Sequence, residues 1–464
     1  MDYPSLSALE IANLVAAREV SAAEVVEAAF ARIDAVNEPV NAIVWRREEA
    51  ARADARAADG HLSSGAPARP LEGVPFTVKD LCATTDGPMN LGSRAFEGLR
   101  PGIDATIVTR LKHAGAILIA TTTSSEFGAR PTTESELFGP TRNPWNLERT
   151  SGGSSGGGGV AAALGMAPLN QGSDGGGSVR IPAACCGVYG LKTARGRISL
   201  GPILSEEWGG LDVYGPLTRT VRDAAAFLDA AAGPATGDPY WAPPPERSFL
   251  SACDEHRPLR IAVAFERDGE AVDPACTAAT ERAAEYLHAQ GHTIVEAAPE
   301  LKSLEESFVT VTTVGIGAIP LNEHQFALLE PRNQLIVQVA REIGAIDYER
   351  ALHTMRRNCR HALAFFEDYD ALLTPTISRP APAIGTIGSG IETAWDDYRN
   401  WLCWTWPFNV TGQPAASVPA GLSPDGLPVG VQVVGRSADE RTVLMLSEQL
   451  ARAHPWDQPR PPIW

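Results

Sequence analysis

The sequence predicts an α/β protein, on two stretches where helix and strand alternate and a third where strands close a sheet. A helix near 104–114 leads into the buried strand 116–120 (AILIA), and 261–265 (IAVAF), 274–290 and 293–297 (TIVEA) read as strand, helix and strand. From 366 onward, FEDYDALLTPT and PFNVTGQPAASVPAGLSPDGLPVGVQVVG carry strands separated by tight turns that complete one sheet.

The elements follow in order. Ser7 with Glu10 and Ser21 with Glu24 have capping-box spacing, and Val25, Ala28, Ala29 and Ile33 recur at helical intervals, which predicts two amphipathic N-terminal helices. Asn37-Glu38-Pro39 then predicts a turn. Residues 74–82 (VPFTVKDLC) read as a strand carrying Lys79. Val160–Met166 suits a helix, Ile181–Leu191 is apolar, and Asp223–Ala232 is helical. The Pro-rich stretch 238–257 reads as a surface connection or the start of an appended region. Few signals mark 301–350, where we expect helices that shape a pocket together with 128–132 and 385–408.

A chain of 464 residues, 44% hydrophobic and 20% charged, has ample apolar content for one large core or two fused ones. The formal net charge of −17 argues against nucleic acid and anionic membrane as partners, because both require a basic surface. The opening MDYPSLSALE lacks a basic segment followed by an apolar one, so no signal peptide is expected. No apolar run reaches the roughly 18 residues of a membrane span. The seven cysteines, at 82, 185, 186, 253, 276, 359 and 403, show neither CxxC nor His-paired spacing, so we expect no disulfide frame, no zinc site and a reducing cytoplasmic setting. Cys185 and Cys186, in an apolar run, read as core.

Chemistry concentrates around two serines 24 positions apart, Ser154 in TSGGSSGGGG and Ser178 in GSDGGGSVR. Glycine lets a ligand approach the main chain closely, so such a segment can present a row of peptide N–H groups to an anion. Gly/Ser runs also serve as linkers. Here apolar, core-like segments flank both runs, which argues against a linker.

Other glycine and serine chemistries fail on specific grounds. Gly152-Gly153-Ser154-Ser155-Gly156 formally fits the GxSxG elbow, but that motif needs a preceding strand and NPWNLERT does not read as one. Gly190-Leu191-Lys192-Thr193 lacks P-loop spacing, no Rossmann fingerprint is present, and no histidine sits in HExxH. A serine nucleophile without a histidine base needs another proton acceptor, and a lysine held neutral by burial can serve. Lys79, after the apolar LEGVPFTV, is the candidate.

Taken together, GVPFTVKD, FGPTRNPWN, SGGSSGGGG, GSDGGGSVRIPAACCGVYGLKTARGRIS, YGPLTRTVRD, YDALLTPT, PFNVTGQPAASVPAGL and DGLPVGVQVVGR resemble, in order and over roughly residues 1–460, the amidase signature family of serine hydrolases. The resemblance implies a single large mixed β-sheet covered by helices on both faces. It also implies one domain over 1–464, with N-terminal helices in 1–60, the catalytic core in 70–232, a variable region in 233–350 and a sheet-completing part in 360–464. It implies a Ser-Ser-Lys triad: Ser178 as nucleophile, Ser154 as the bridging serine whose peptide bond is cis in the family, and Lys79 as base. The N–H groups of Gly175, Gly176, Gly177 and Ser178 would face the oxyanion, with no metal or organic cofactor required.

Around that triad, Ser155 is expected to hydrogen-bond within the site, and Asp174 and Arg180 to brace the nucleophile loop as an exposed ion pair of little energetic weight. Gly128, Ala129 and Arg130 match a stretch that lines the acyl pocket in relatives. Arg197 either reaches substrate or pairs with an acid, and we favour the acid. Gly175 stands where threonine or isoleucine is commoner, which predicts a more open oxyanion loop. The Trp-rich 401–408 reads as core running into pocket walls, suiting an apolar or aryl substrate. The expected substrates are small amides or carbamates, handled by a monomer or homodimer. Two alternatives are the glutaminase subunit of a tRNA-dependent amidotransferase and a non-catalytic binding protein that kept the fold.

Overall fold

Eleven strands form one mixed sheet, in a computed structural model that describes residues 1–267, 269–388, 394–453 and 459–464. In chain order they are β1 (Ile43–Arg46), β2 (Pro75–Lys79), β3 (Ile117–Thr122), β4 (Leu169–Asp174), β5 (Tyr189–Lys192), β6 (Val213–Thr218), β7 (Arg260–Val263), β8 (Thr293–Glu296), β9 (Ala371–Pro375), β10 (Ala415–Leu422) and β11 (Pro428–Gly435). Their order across the sheet is β1-β3-β2-β4-β6-β5-β10-β11-β9-β7-β8. β2 runs parallel to both β3 and β4, β9, β7 and β8 run parallel to one another, and the strands between pair antiparallel. Every residue of β2, β3, β4, β6, β9 and β11 is buried, so helices cover both faces there, as a near-continuous apolar reading requires.

Both capping boxes form. Ser7 starts the helix Ala8–Ala16 and Ser21 the helix Ala22–Val40, each side chain accepting from the N–H three residues on. The turn expected at 37–39 is displaced: the helix runs through Pro39 and stops at Asn41, which adopts φ 52° while its N–H donates to Asn37 O. Proline in the last turn removes one hydrogen bond, and Asn37 compensates by accepting from the N–H groups of Ala42 and Ile43 through its side chain.

A second departure precedes the first glycine run, where Asn146–Thr150 is a short strand paired with Arg142–Asn143. Alternating polar residues on a half-exposed ribbon conceal it, because only an apolar face gives a strand a clear sequence signal. The glycines themselves begin a helix, Gly156–Ala163, that is buried throughout. A Cβ on Gly156 would lie 2.4 Å from the hydroxyls of Ser151 and Thr133, and one on Gly157 2.4 Å from that of Thr123. This run is therefore packed core, not a linker. Residues 301–350 are largely helical, in Glu305–Gly317, Glu323–Ala327, Pro331–Glu342 and the start of Ala345–Asp368. Of the expected pocket-shaping span 385–408, residues 389–393 lie outside those described. Among the described residues no helix is long and apolar enough to cross a membrane.

Candidate active site

Lys79 closes β2 and Asp174 closes the parallel neighbour β4, with Phe76 opposite Leu169 and Thr77 opposite Asn170. Both side chains therefore emerge at the carboxyl end of adjacent strands, where open α/β sheets place their ligand crevices. The Lys79 N–H donates to Gln171 Oε1 (3.1 Å), and its Nζ donates to Ser154 Oγ (2.6 Å) and Ser173 Oγ (3.1 Å). The ammonium is fully buried. Burial brings its pKa down from 10.5 to about 8, against the opposing pull of the Asp212, Asp174 and Glu207 carboxyl groups.

The backbone around Ser154 is pinned from several sides. The Gly153–Ser154 peptide bond is cis. The Thr133 hydroxyl donates to Gly152 O (2.9 Å) and lies 3.2 Å from Ser154 O. A Cβ on Gly153 would lie 2.5 Å from the carbonyl carbon of Thr132, so the segment passes too close for any other residue. Ser155 joins the two serine loops: its N–H donates to Ser178 O (3.1 Å) and its hydroxyl to Ser173 O (3.1 Å).

Asp174 organises the second loop. One carboxyl oxygen accepts from the Gly177 N–H (2.7 Å), and the other from the Val179 N–H (3.1 Å). Arg180 grips both oxygens, through Nε (3.0 Å) and a terminal nitrogen (2.8 Å). The expected exposed pair is in fact fully buried, both side chains at 0% exposure. Burial opposes ionisation of Asp174, but the adjacent guanidinium holds its carboxyl well below the usual range. Arg180 also donates to Thr405 O (2.7 Å), Gln432 Oε1 (2.8 Å) and Asn409 Oδ1 (2.6 Å).

This arrangement corrects the expected oxyanion set. Gly177 has its N–H turned to Asp174, which leaves Gly175, Gly176 and Ser178, whose N–H groups take no protein acceptor among the described residues. The loop is also not opened by Gly175. A Cβ there would lie 2.7 Å from the Trp208 ring, so the indole fills the space a side chain would take.

Ser178, 9% exposed, lines a cavity of about 350 Å³. Gly128, Ala129 and Arg130 line it as expected, with Phe308, Trp395 and Tyr398 supplying aromatic walls. Trp401, Trp404 and Trp406 are core, and Trp406 backs the site by packing on the wall residues Phe308 and Trp395, with ring centroids 4.9 and 6.5 Å away. Arg197 is not in this wall: it is buried against Glu440, 2.8 Å away, as the acid-pairing reading expected. Ser173, Trp208, Thr405, Asn409 and Arg332 went unnoticed in the sequence. Of these only Ser173 carried a local signal, lying inside the same Gly/Ser motif as Ser178.

Comparisons with known proteins place the chain in a family. A family model described as Amidase matches residues 24–444. The 6-aminohexanoate-cyclic-dimer hydrolase of Paenarthrobacter ureafaciens is 36% identical over 97% of this chain and 95% of its own length. The acylamidase of Rhodococcus erythropolis is 36% identical over 98% and 97%. The solved structure of a 6-aminohexanoate cyclic dimer hydrolase complexed with substrate superposes with a TM-score of 0.93 at 34% identity, covering 100% of both chains. With the family model spanning nearly its whole length and relatives aligned end to end, the chain belongs to the amidase signature family and is a hydrolase of amide C–N bonds.

Proposed function

We propose that the protein cleaves small, mainly apolar or aryl amides through an acyl-enzyme on Ser178, and that carbamates fit the same attack. The observation that carries this reading is the 2.6 Å contact between a fully buried Lys79 and the Ser154 hydroxyl, beside an apolar cavity that contains Ser178. A desolvated, neutral Lys79 takes a proton from Ser154 Oγ, and Ser154 takes one from Ser178 Oγ as that oxygen attacks the carbonyl carbon. The N–H groups of Gly175, Gly176 and Ser178 receive the developing negative charge, a contribution of about 3–4 kcal/mol per donor in comparable sites. When the C–N bond breaks, Ser154 gives its proton to the leaving nitrogen and recovers one from the Lys79 ammonium, and water then hydrolyses the acyl-enzyme on Ser178 through the same relay.

We further propose a cytosolic enzyme that works as a monomer or homodimer. Hydrolysis of a panel of aryl amides, aliphatic amides, aryl carbamates and glutamine, with Ser178→Ala as control, tests the reading. Turnover of apolar amides that disappears in Ser178→Ala supports it. Turnover of glutamine alone would move the chain to the amidotransferase role, and equal rates in the two proteins would remove Ser178 as nucleophile.

A further inference from the structure

A second cavity, of about 520 Å³, lies on the other side of Trp208, which lines both spaces. Its walls are mostly apolar, among them Leu81, Phe127, Leu204 and Ile319. Among the described residues its charged wall side chains are Glu206 and Glu207, with no Lys, Arg or His. The Ser178 cavity differs: among the described residues its charged wall side chains are Arg130 and Arg332, of which Arg130 faces Glu330 at 3.6 Å. The partition is built in: the Trp208 ring sits between Gly175 and Gly315, where added Cβ atoms would lie 2.7 and 2.5 Å from it.

We propose that this second cavity receives the amine half of the substrate and favours an apolar amine carrying positive charge, held against Glu207. The proposal rests on the Ser178 reading above for the direction of cleavage. The proton that the leaving nitrogen needs comes from the Ser154–Lys79 side of the site. That side lies between the two cavities: the position of a Cβ on Gly128, a wall residue of the Ser178 cavity, is 3.2 Å from Ser154 Oγ, 3.9 Å from Lys79 Nζ and 3.1 Å from the Cδ1 of Leu81, a wall residue of the second cavity. An alkylamine is an ammonium ion once released, and two guanidinium groups disfavour it on the Ser178 side. Glu207 and Asp212 are the carboxyl groups beside Lys79; burial raises the pKa of both and the lysine opposes that shift, so a cationic amine beside Glu207 favours its ionised form in the same way. Ile203, 49% exposed, and the exposed Glu206 mark the mouth through which the amine leaves.

Binding of hexylamine, 1-hexanol and hexanoate to the full-length Ser178→Ala protein, measured by calorimetry, tests the proposal without turnover. Hexylamine is expected to bind about tenfold more tightly than 1-hexanol, and hexanoate more weakly than either. Glu207→Gln in the same background removes the preference for the amine. Ala318→Trp, which fills the cavity from the 314–320 wall, abolishes hexylamine binding independently of the acid. Equal affinity for amine and alcohol, or hexylamine binding unchanged in either variant, overturns the proposal. Amine binding as expected with no hydrolysis by the unmodified protein would instead count against the Ser178 reading alone.

Discussion

The indole of Trp208 occupies the space that a side chain on residue 175 would need, 2.7 Å from the position of its Cβ, so Gly175 and Trp208 form one steric unit at the oxyanion loop. Trp208 adopts φ 50°, a conformation costly for a bulky residue. Gly175→Ile alone should overpack the loop, losing about 1–3 kcal/mol of stability and most activity. Trp208→Gly suits that φ and empties the space, so the double variant should regain at least about 1 kcal/mol over additivity. Thermal melts of the four proteins measure this coupling.

Lys79 sets the pH response. With its pKa near 8, kcat/KM for an amide should rise with pH and level off above that value, because only the neutral amine accepts a proton. Folding follows the same sign: the native pKa lies below the ordinary 10.5, so this residue weakens the fold below about pH 8 and the penalty fades between 8 and 10.5. Lys79→Met should abolish the activity limb and remove its share of the rise in stability over that window, while the buried Lys192, whose pKa burial lowers to about 7, keeps its own share. A pH–rate profile with parallel melts checks both.

Ser154→Ala should lose several decades of kcat while the protein stays folded, since the route between Lys79 and Ser178 is cut. Pre-steady-state acylation with an activated aryl ester separates this from a slow second step, because the burst itself should vanish.

Asp174→Ala leaves a fully buried guanidinium without its carboxylate and should cost about 3–5 kcal/mol, read as a shifted denaturation midpoint. Arg197→Met exposes the same physics away from the site, leaving Glu440 buried and unpaired. It should lower stability while KM stays unchanged, whereas a substrate-binding arginine would raise KM.

Much of this was legible because its signals are local. Capping boxes, the buried runs of β2 and β3, and the Gly/Ser motifs each reside in a few consecutive residues. Lys79 follows an apolar segment, but beside Asp80 it reads equally as a surface ion pair, and only the family resemblance singles it out as the base. What stayed hidden depends on residues far apart in the chain. Trp208 meets Gly175 and Gly315 only after folding, and nothing near position 208 signals that contact. The depth of the Asp174–Arg180 pair was misjudged for the same reason: its desolvation comes from Thr405, Asn409 and Gln432, more than 220 positions away. The strand at 146–150 escaped because it buries too little apolar surface to leave a pattern.

That distant anchoring has a consequence for how the enzyme comes into being. Lys79, Ser154 and Ser178 have all been synthesised by the time the ribosome passes the middle of the chain, yet the loop that carries Ser178 is moored by a guanidinium whose partners arrive as late as position 432. A half-made chain thus holds its reactive groups without the scaffold that aligns them. On the proposed mechanism, competence waits for the end of translation, and a chain truncated before position 432 is expected to be inactive.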